Sequence, residues 1–117
     1  MNMNKLLITC LIFGYFGNIN ANTSGGHFSD IAGGKDNTAL GDYSFIGGGK
    51  SNTARGLASS ILGGMYNTVD GDYSSAFGYG ANANNENSSV FSFSSEGTCY
   101  SKGNNTVTIC SDGVYIN

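Results

Sequence analysis

A single histidine, His27, limits the acid–base chemistry open to this chain, because any site built from several imidazoles is excluded at once. Fifteen residues beyond it stands Asp42, followed at the same step by Leu57 and Asp72. A position that changes so freely reads as a solvated corner, not as a catalytic base. Asp36 and Asp70 fall at corners too. Asp70-Gly71-Asp72 has the look of a calcium loop, but it lacks the spaced oxygen ligands and closing glutamate of an EF-hand. Gly47-Gly48-Gly49-Lys50-Ser51 has the look of a phosphate loop, yet the upstream glycine is missing at the required spacing. No nucleophile, base and orienter can be assembled from neighbouring residues, so the expectation is a non-enzyme without catalytic residues, metal or cofactor.

The thiols point to structure instead. Residues 1–21 read as a secretory signal: Lys5 gives the charged start, Leu6 to Phe16 the apolar core, and Ile19-Asn20-Ala21 a small-residue cleavage site. The apolar run is too short to span a bilayer, which needs about 20 residues, and an uncleaved anchor is the alternative. Cleavage near Ala21 removes Cys10, places the mature chain outside the cell and leaves no membrane span in it. The remaining pair, Cys99 and Cys110, then suits a disulfide in an oxidising compartment, with two free buried thiols as the alternative. Zinc is not expected, since neither has a His or second Cys at ligand spacing. Asn22-Thr23-Ser24, Asn87-Ser88-Ser89 and Asn104-Asn105-Thr106 fit the N-glycosylation pattern, and Asn104 is the one expected on a hairpin tip. A net charge of −3 without a basic cluster speaks against nucleic-acid binding.

What positions these residues is a repeat of fifteen. Ile31, Ile46, Ile61 and Ala76 share one column, Gly33, Gly48, Gly63 and Gly78 another, and Ser29, Ser44, Ser59, Ser74 and Ser89 a third. Asn22, Asn37, Asn52, Asn67 and Asn82 form a fourth, with Thr23, Thr38, Thr53 and Thr68 directly behind. So many columns in phase mark a repeat protein. Each period splits into Ser-x-Ile-x-Gly and Asn-x-Ala-x-Gly, whose alternate residues lie on one face of a strand. Gly and Asp between the halves suit tight corners. Two strands and two corners per period describe one coil of a narrow parallel β-solenoid.

The expected organisation is therefore a signal over 1–21, a roll of about four coils over 22–83, a capping transition over 84–93 and a tail over 94–117. The fold class is all-β. Ile31, Ile46, Ile61 and Ala76 should stack inside, opposite Ala39, Ala54 and Val69, with hydrogen-bonded Asn and Ser ladders flanking them. In the tail, Thr98-Cys99-Tyr100 and Thr106 to Cys110 are β-prone runs around Lys102-Gly103-Asn104-Asn105, which predicts a disulfide-linked hairpin. A further turn at Asp112-Gly113 leads into Val114-Tyr115-Ile116, a third strand.

Over residues 28–84 the half-repeats resemble the head repeats of trimeric autotransporter adhesins, the YadA-like heads. The resemblance implies a left-handed parallel β-roll that works as a homotrimer and binds a protein or glycan on a host or cell surface. The family's stalk and membrane anchor have no counterpart in the sequence, so only the head module is implied. Phe28, Tyr43, Phe45, Leu62, Tyr66, Tyr73 and Phe77 are expected on the outward face of the strands. Tyr43, Tyr73 and Phe77 are expected at or near the contact between chains, or on the ligand face. A competing function is binding to ice or another crystal surface through the Thr column, although the residues two further on, Gly25, Leu40, Arg55 and Asp70, are irregular.

Overall fold

A computed structural model of the chain describes residues 21–113. Residues 1–20 of the expected signal peptide, with Cys10, and the strand expected at Val114-Tyr115-Ile116 lie outside the described residues. The first six strands are β1 (Thr23–Ser24), β2 (Asp30–Ile31), β3 (Thr38–Ala39), β4 (Phe45–Ile46), β5 (Thr53–Ala54) and β6 (Ser60–Met65). The next six are β7 (Thr68–Val69), β8 (Ser75–Tyr79), β9 (Ala81–Ala83), β10 (Ser89–Ser92), β11 (Cys99–Tyr100) and β12 (Val107–Cys110). Odd-numbered strands pair in order into one parallel sheet and even-numbered strands into a second. Each coil gives one strand to each sheet, which makes an all-β parallel solenoid of about six coils.

The core is the inward column of each sheet. Ile46, Ile61, Ala76 and Val90 are buried from one side, and Ala39, Ala54, Val69 and Ala83 from the other. Each isoleucine so buried is worth about 1.5–3 kcal/mol. Ile31, at the head of its column, is only partly buried because no strand precedes β2 in its sheet among the described residues.

Beside this column runs the asparagine ladder. Asn37, Asn52 and Asn67 are fully buried, and each side-chain oxygen accepts a backbone N–H from the next coil. The serine column is less complete: Ser74 donates to the Asn85 carbonyl at 2.7 Å, whereas the Ser44 and Ser59 hydroxyls have no partner among the described residues. Glycine is demanded at Gly34, Gly49, Gly64 and Gly78, where φ lies between 86° and 109° and a Cβ would strike a carbonyl of the next coil. Gly33 and Gly63, by contrast, face open space.

Two expectations are corrected. The coil does not end near residue 83, because β10, β11 and β12 continue both sheets in parallel: Cys99 pairs with Ala81, and Val107 with Ser89. Residues 84–93 therefore belong to a coil, not to a cap. The tail is likewise no hairpin, since β11 and β12 lie in different sheets. Lys102 to Asn105 turns the chain from one sheet to the other, with Asn105 at φ 60° as at earlier corners.

A further correction is one of phase. The register shifts between Ile61 and Gly64, so that Gly64 pairs with Gly78 only fourteen residues on. Gly63-Gly64 is met by a single glycine in the next coil, and everything after it moves up by one. Asn82 accordingly pairs with Thr68 on the outer face, while the Ala81 N–H takes the Asn67 oxygen at 2.8 Å. Ser88, not Ser89, follows Ser74 inward, its N–H donating to the Ser74 hydroxyl at 2.9 Å.

Candidate binding surface

The two sheets turn different chemistry outward. In the odd-numbered sheet Thr23, Thr38, Thr53 and Thr68 pair in register, and the file continues as Asn82 and Tyr100. Arg55 and Asp70 stand on neighbouring coils of this side, joined at 2.9 Å in an exposed pair of small energetic weight.

The even-numbered sheet carries one apolar file outside, Phe77, Phe91 and Ile109 in register, beside a second file in which Phe45 is followed by Ser60, Ser75 and Ser89. Leu62 is 63% exposed and Ile109 54%, with Phe45, Phe77 and Phe93 also exposed. Phe93 gathers this end of the face, lying 6.2 Å from Phe77 edge-on and 6.5 Å from Phe91 in a stack. Contiguous apolar surface of this kind marks an interaction site.

A third feature is a corner. Phe28, Tyr43, Ala58 and Tyr73 occupy equivalent places with φ between 49° and 58°, followed by Asn87 and Asn105. The expectation that Tyr43, Tyr73 and Phe77 share one face is therefore corrected. Tyr43 and Tyr73 project from the corner because the left-handed backbone turns them off the strand, whereas Phe77 lies within β8. Tyr66 lies at the opposite corner, 5.7 Å edge-on from Tyr79. The signal for the tyrosine file was in the sequence: Phe28, Tyr43, Ala58 and Tyr73 recur at the repeat step, each just before an inward serine.

The residues that could do chemistry are placed as follows. His27 is 86% exposed, with its Nδ1 3.2 Å from Asp42 Oδ1. The same oxygen accepts the His27 backbone N–H at 2.9 Å. That backbone hydrogen bond, ahead of the side-chain one, holds the Asp42 carboxyl below its ordinary value. Asp36, Asp70 and Asp72 are brought to no common centre, and among the described residues no three His, Cys, Asp or Glu side chains gather as metal ligands.

Cys99 and Cys110 are bridged, with their Cα atoms 5.9 Å apart. Since they belong to β11 and β12, the bond staples one sheet to the other across the last described coil. An open cavity of about 350 Å³ lies against it, lined by Ser92, Glu96, Ile109 and Ser111 among others.

Of the glycosylation motifs, Asn104 is exposed at the last corner and Asn87 at the one before. Asn22 is engaged: its amide nitrogen donates to the Gly34 carbonyl at 3.1 Å, and its oxygen accepts from Asn37 at 3.0 Å. No helix among the described residues is long and apolar enough to cross a membrane. Comparison with protein-family models, curated proteins and solved structures finds no match to the chain.

Proposed function

We propose that the chain is a secreted, non-catalytic head-like module that adheres to a surface or host ligand through its repeated coils, in the manner of YadA-like heads. The observation that carries this reading is the in-register parallel stacking, which presents each outward position again at every coil and the same threonine at four of them. A contact that is weak once becomes strong when several identical contacts engage together. The apolar face of the even-numbered sheet is the surface through which three copies would associate, leaving the threonine face and the corners for ligand. Secretion follows from the leader and suits the disulfide.

The test is adhesion of the chain secreted from its own leader. Folded protein should bind cells or extracellular matrix in a saturable way, and heat-denatured, reduced protein should not. Equal binding by both would remove the reading. N-terminal sequencing of the secreted form should begin at Asn22.

A second reading has one observation in its favour. Thr23, Thr38, Thr53 and Thr68 stand in strict register, so their hydroxyls repeat every ~4.8 Å, a spacing suited to a crystal surface such as ice. Thermal hysteresis in a solution of the secreted protein would support it, and freezing without hysteresis would end it.

A further inference from the structure

We propose that the gap in the corner file between Tyr43 and Tyr73 is a subsite for one neutral pyranose ring of a surface glycan. This rests on the adhesive reading and names its ligand class.

The corner is built by backbone hydrogen bonds that repeat from coil to coil. Tyr43 N–H donates to the His27 carbonyl, Ala58 N–H to that of Asp42 and Tyr73 N–H to that of Leu57, each at 2.8 Å. The three residues therefore stand one above the next along the solenoid. Where two rings fall on adjacent coils they close on each other: Phe28 and Tyr43 stack with centroids 5.3 Å apart and planes 14° apart. At Ala58 the file lacks a ring. Tyr43 and Tyr73 are 61% and 62% exposed, with Ala58 itself exposed between them.

The size of the gap selects its occupant. Two coils at ~4.8 Å put the tyrosine backbones about 10 Å apart. A flat group held between two rings fills only about 7–8 Å, at ~3.5–4.0 Å of contact on each side. A puckered saturated ring takes up the excess. Tyrosine rings on both sides of the gap offer large contact area at small entropic cost.

The polar groups match hydroxyl donors. Asp42 and Asp72 immediately precede the two tyrosines, and Leu57 lies half-buried in the same file between them. The hydrogen bonds each carboxylate receives from the protein, from His27 and from Leu57, fall on Oδ1. Each Oδ2 is thus left to accept from a ligand hydroxyl. Two carboxylates favour a neutral sugar and repel an anionic one. Arg55, which could have offset that charge, is engaged by Asp70.

The test uses the secreted full chain on immobilised neutral polysaccharides (a β-glucan, a mannan and a galactan), with a polyuronate as the anionic control. Retention on at least one neutral polymer and none on the polyuronate is expected. Ala58→Tyr, which supplies the ring that Tyr43 and Tyr73 already carry at the same backbone angle, should weaken retention at least about tenfold. Its melting temperature and sedimentation should stay unchanged. Tyr73→Ala should weaken retention likewise, and Ala58→Gly should keep it. The proposal is overturned by retention of Ala58→Tyr at the wild-type level, by preference for the polyuronate or by absence of retention on all neutral polymers. Loss of self-association in Ala58→Tyr would also overturn it, assigning the gap to a second copy. Wild-type adhesion to cells without glycan retention would remove the subsite and leave the adhesive reading standing, whereas loss of adhesion itself would remove both.

Discussion

Asn52 lies directly over Asn37, and the Asn37 side-chain oxygen accepts both the backbone N–H and the amide nitrogen of Asn52 at 3.1 Å each. Asn67 repeats the arrangement over Asn52 at 3.0 Å. The amide of Asn52 also reaches the carbonyls of Gly48 and Gly64 at 3.0 Å. One side chain thus ties three coils together in a core too narrow to rely on apolar burial alone.

Asn52→Asp should therefore be far more damaging than its near-identical shape suggests. A carboxylate has no donor for the three oxygens it would face, and an uncompensated buried charge costs about 3–5 kcal/mol. Urea denaturation should show a large drop in midpoint, while Asn22→Asp at the more open end of the ladder should show a small one. Equal midpoints for Asn52→Asp and the wild type would show that the ladder contributes little.

The ladder was legible in the sequence because asparagine recurs at a fixed step with glycine and threonine around it. Its end was not. Coil length falls to fourteen residues at Gly78, and the last coil lengthens to eighteen between Val90 and Thr108. Columns read at a fixed fifteen lose phase at that point, although backbone pairing does not depend on it. Thr108 in the inward place of Val90 further hid the last coil, since a buried threonine breaks the apolar column. The corner tyrosines were misplaced for a different reason. Period-two alternation holds only within a strand, and a residue with positive φ escapes it.

Cys99 is buried in the core cluster and Cys110 packs against it, so reduction should loosen the last coil first. The closed loop has a sequence separation of 11, and a loop of that order contributes about 2–3 kcal/mol through the unfolded chain. Cys99→Ala/Cys110→Ala should lower the urea midpoint accordingly, with hydrogen exchange accelerating in β11 and β12 before β3 to β7. Alkylation of both cysteines without reductant, read by mass spectrometry of the protein purified under oxidising conditions, would sink the bridge.

Asp42 gives a pH dependence whose sign is fixed by its hydrogen bonds. Its folded pKa lies below the ordinary 3.8, so its contribution is fully present above that value and fades as pH falls through the lower folded one. The leading cause is the backbone N–H of His27, which survives removal of the imidazole. In His27→Ala the Asp42 carboxyl should still titrate below 3.8 by NMR. A return to the ordinary value would mean that the imidazole, not the backbone, holds the charge.

The proposed association of three chains has its natural contact on the even-numbered sheet. Leu62, Phe77, Phe93 and Ile109 form an apolar face there, whereas Tyr43 and Tyr73 stand off at the corner. A standard interface buries about 800 Å² per partner, and a closed ring would cover the apolar face on every copy. Sedimentation of the protein from residue 22 onward at micromolar concentration should give three times the chain mass. Leu62→Lys/Phe77→Lys should yield folded monomers, because both side chains are exposed and neither supports the inner columns. Tyr43→Lys/Tyr73→Lys should leave the assembly intact, which separates contact face from ligand corner. A folded wild-type monomer would end the trimer and pass the apolar face to a ligand instead.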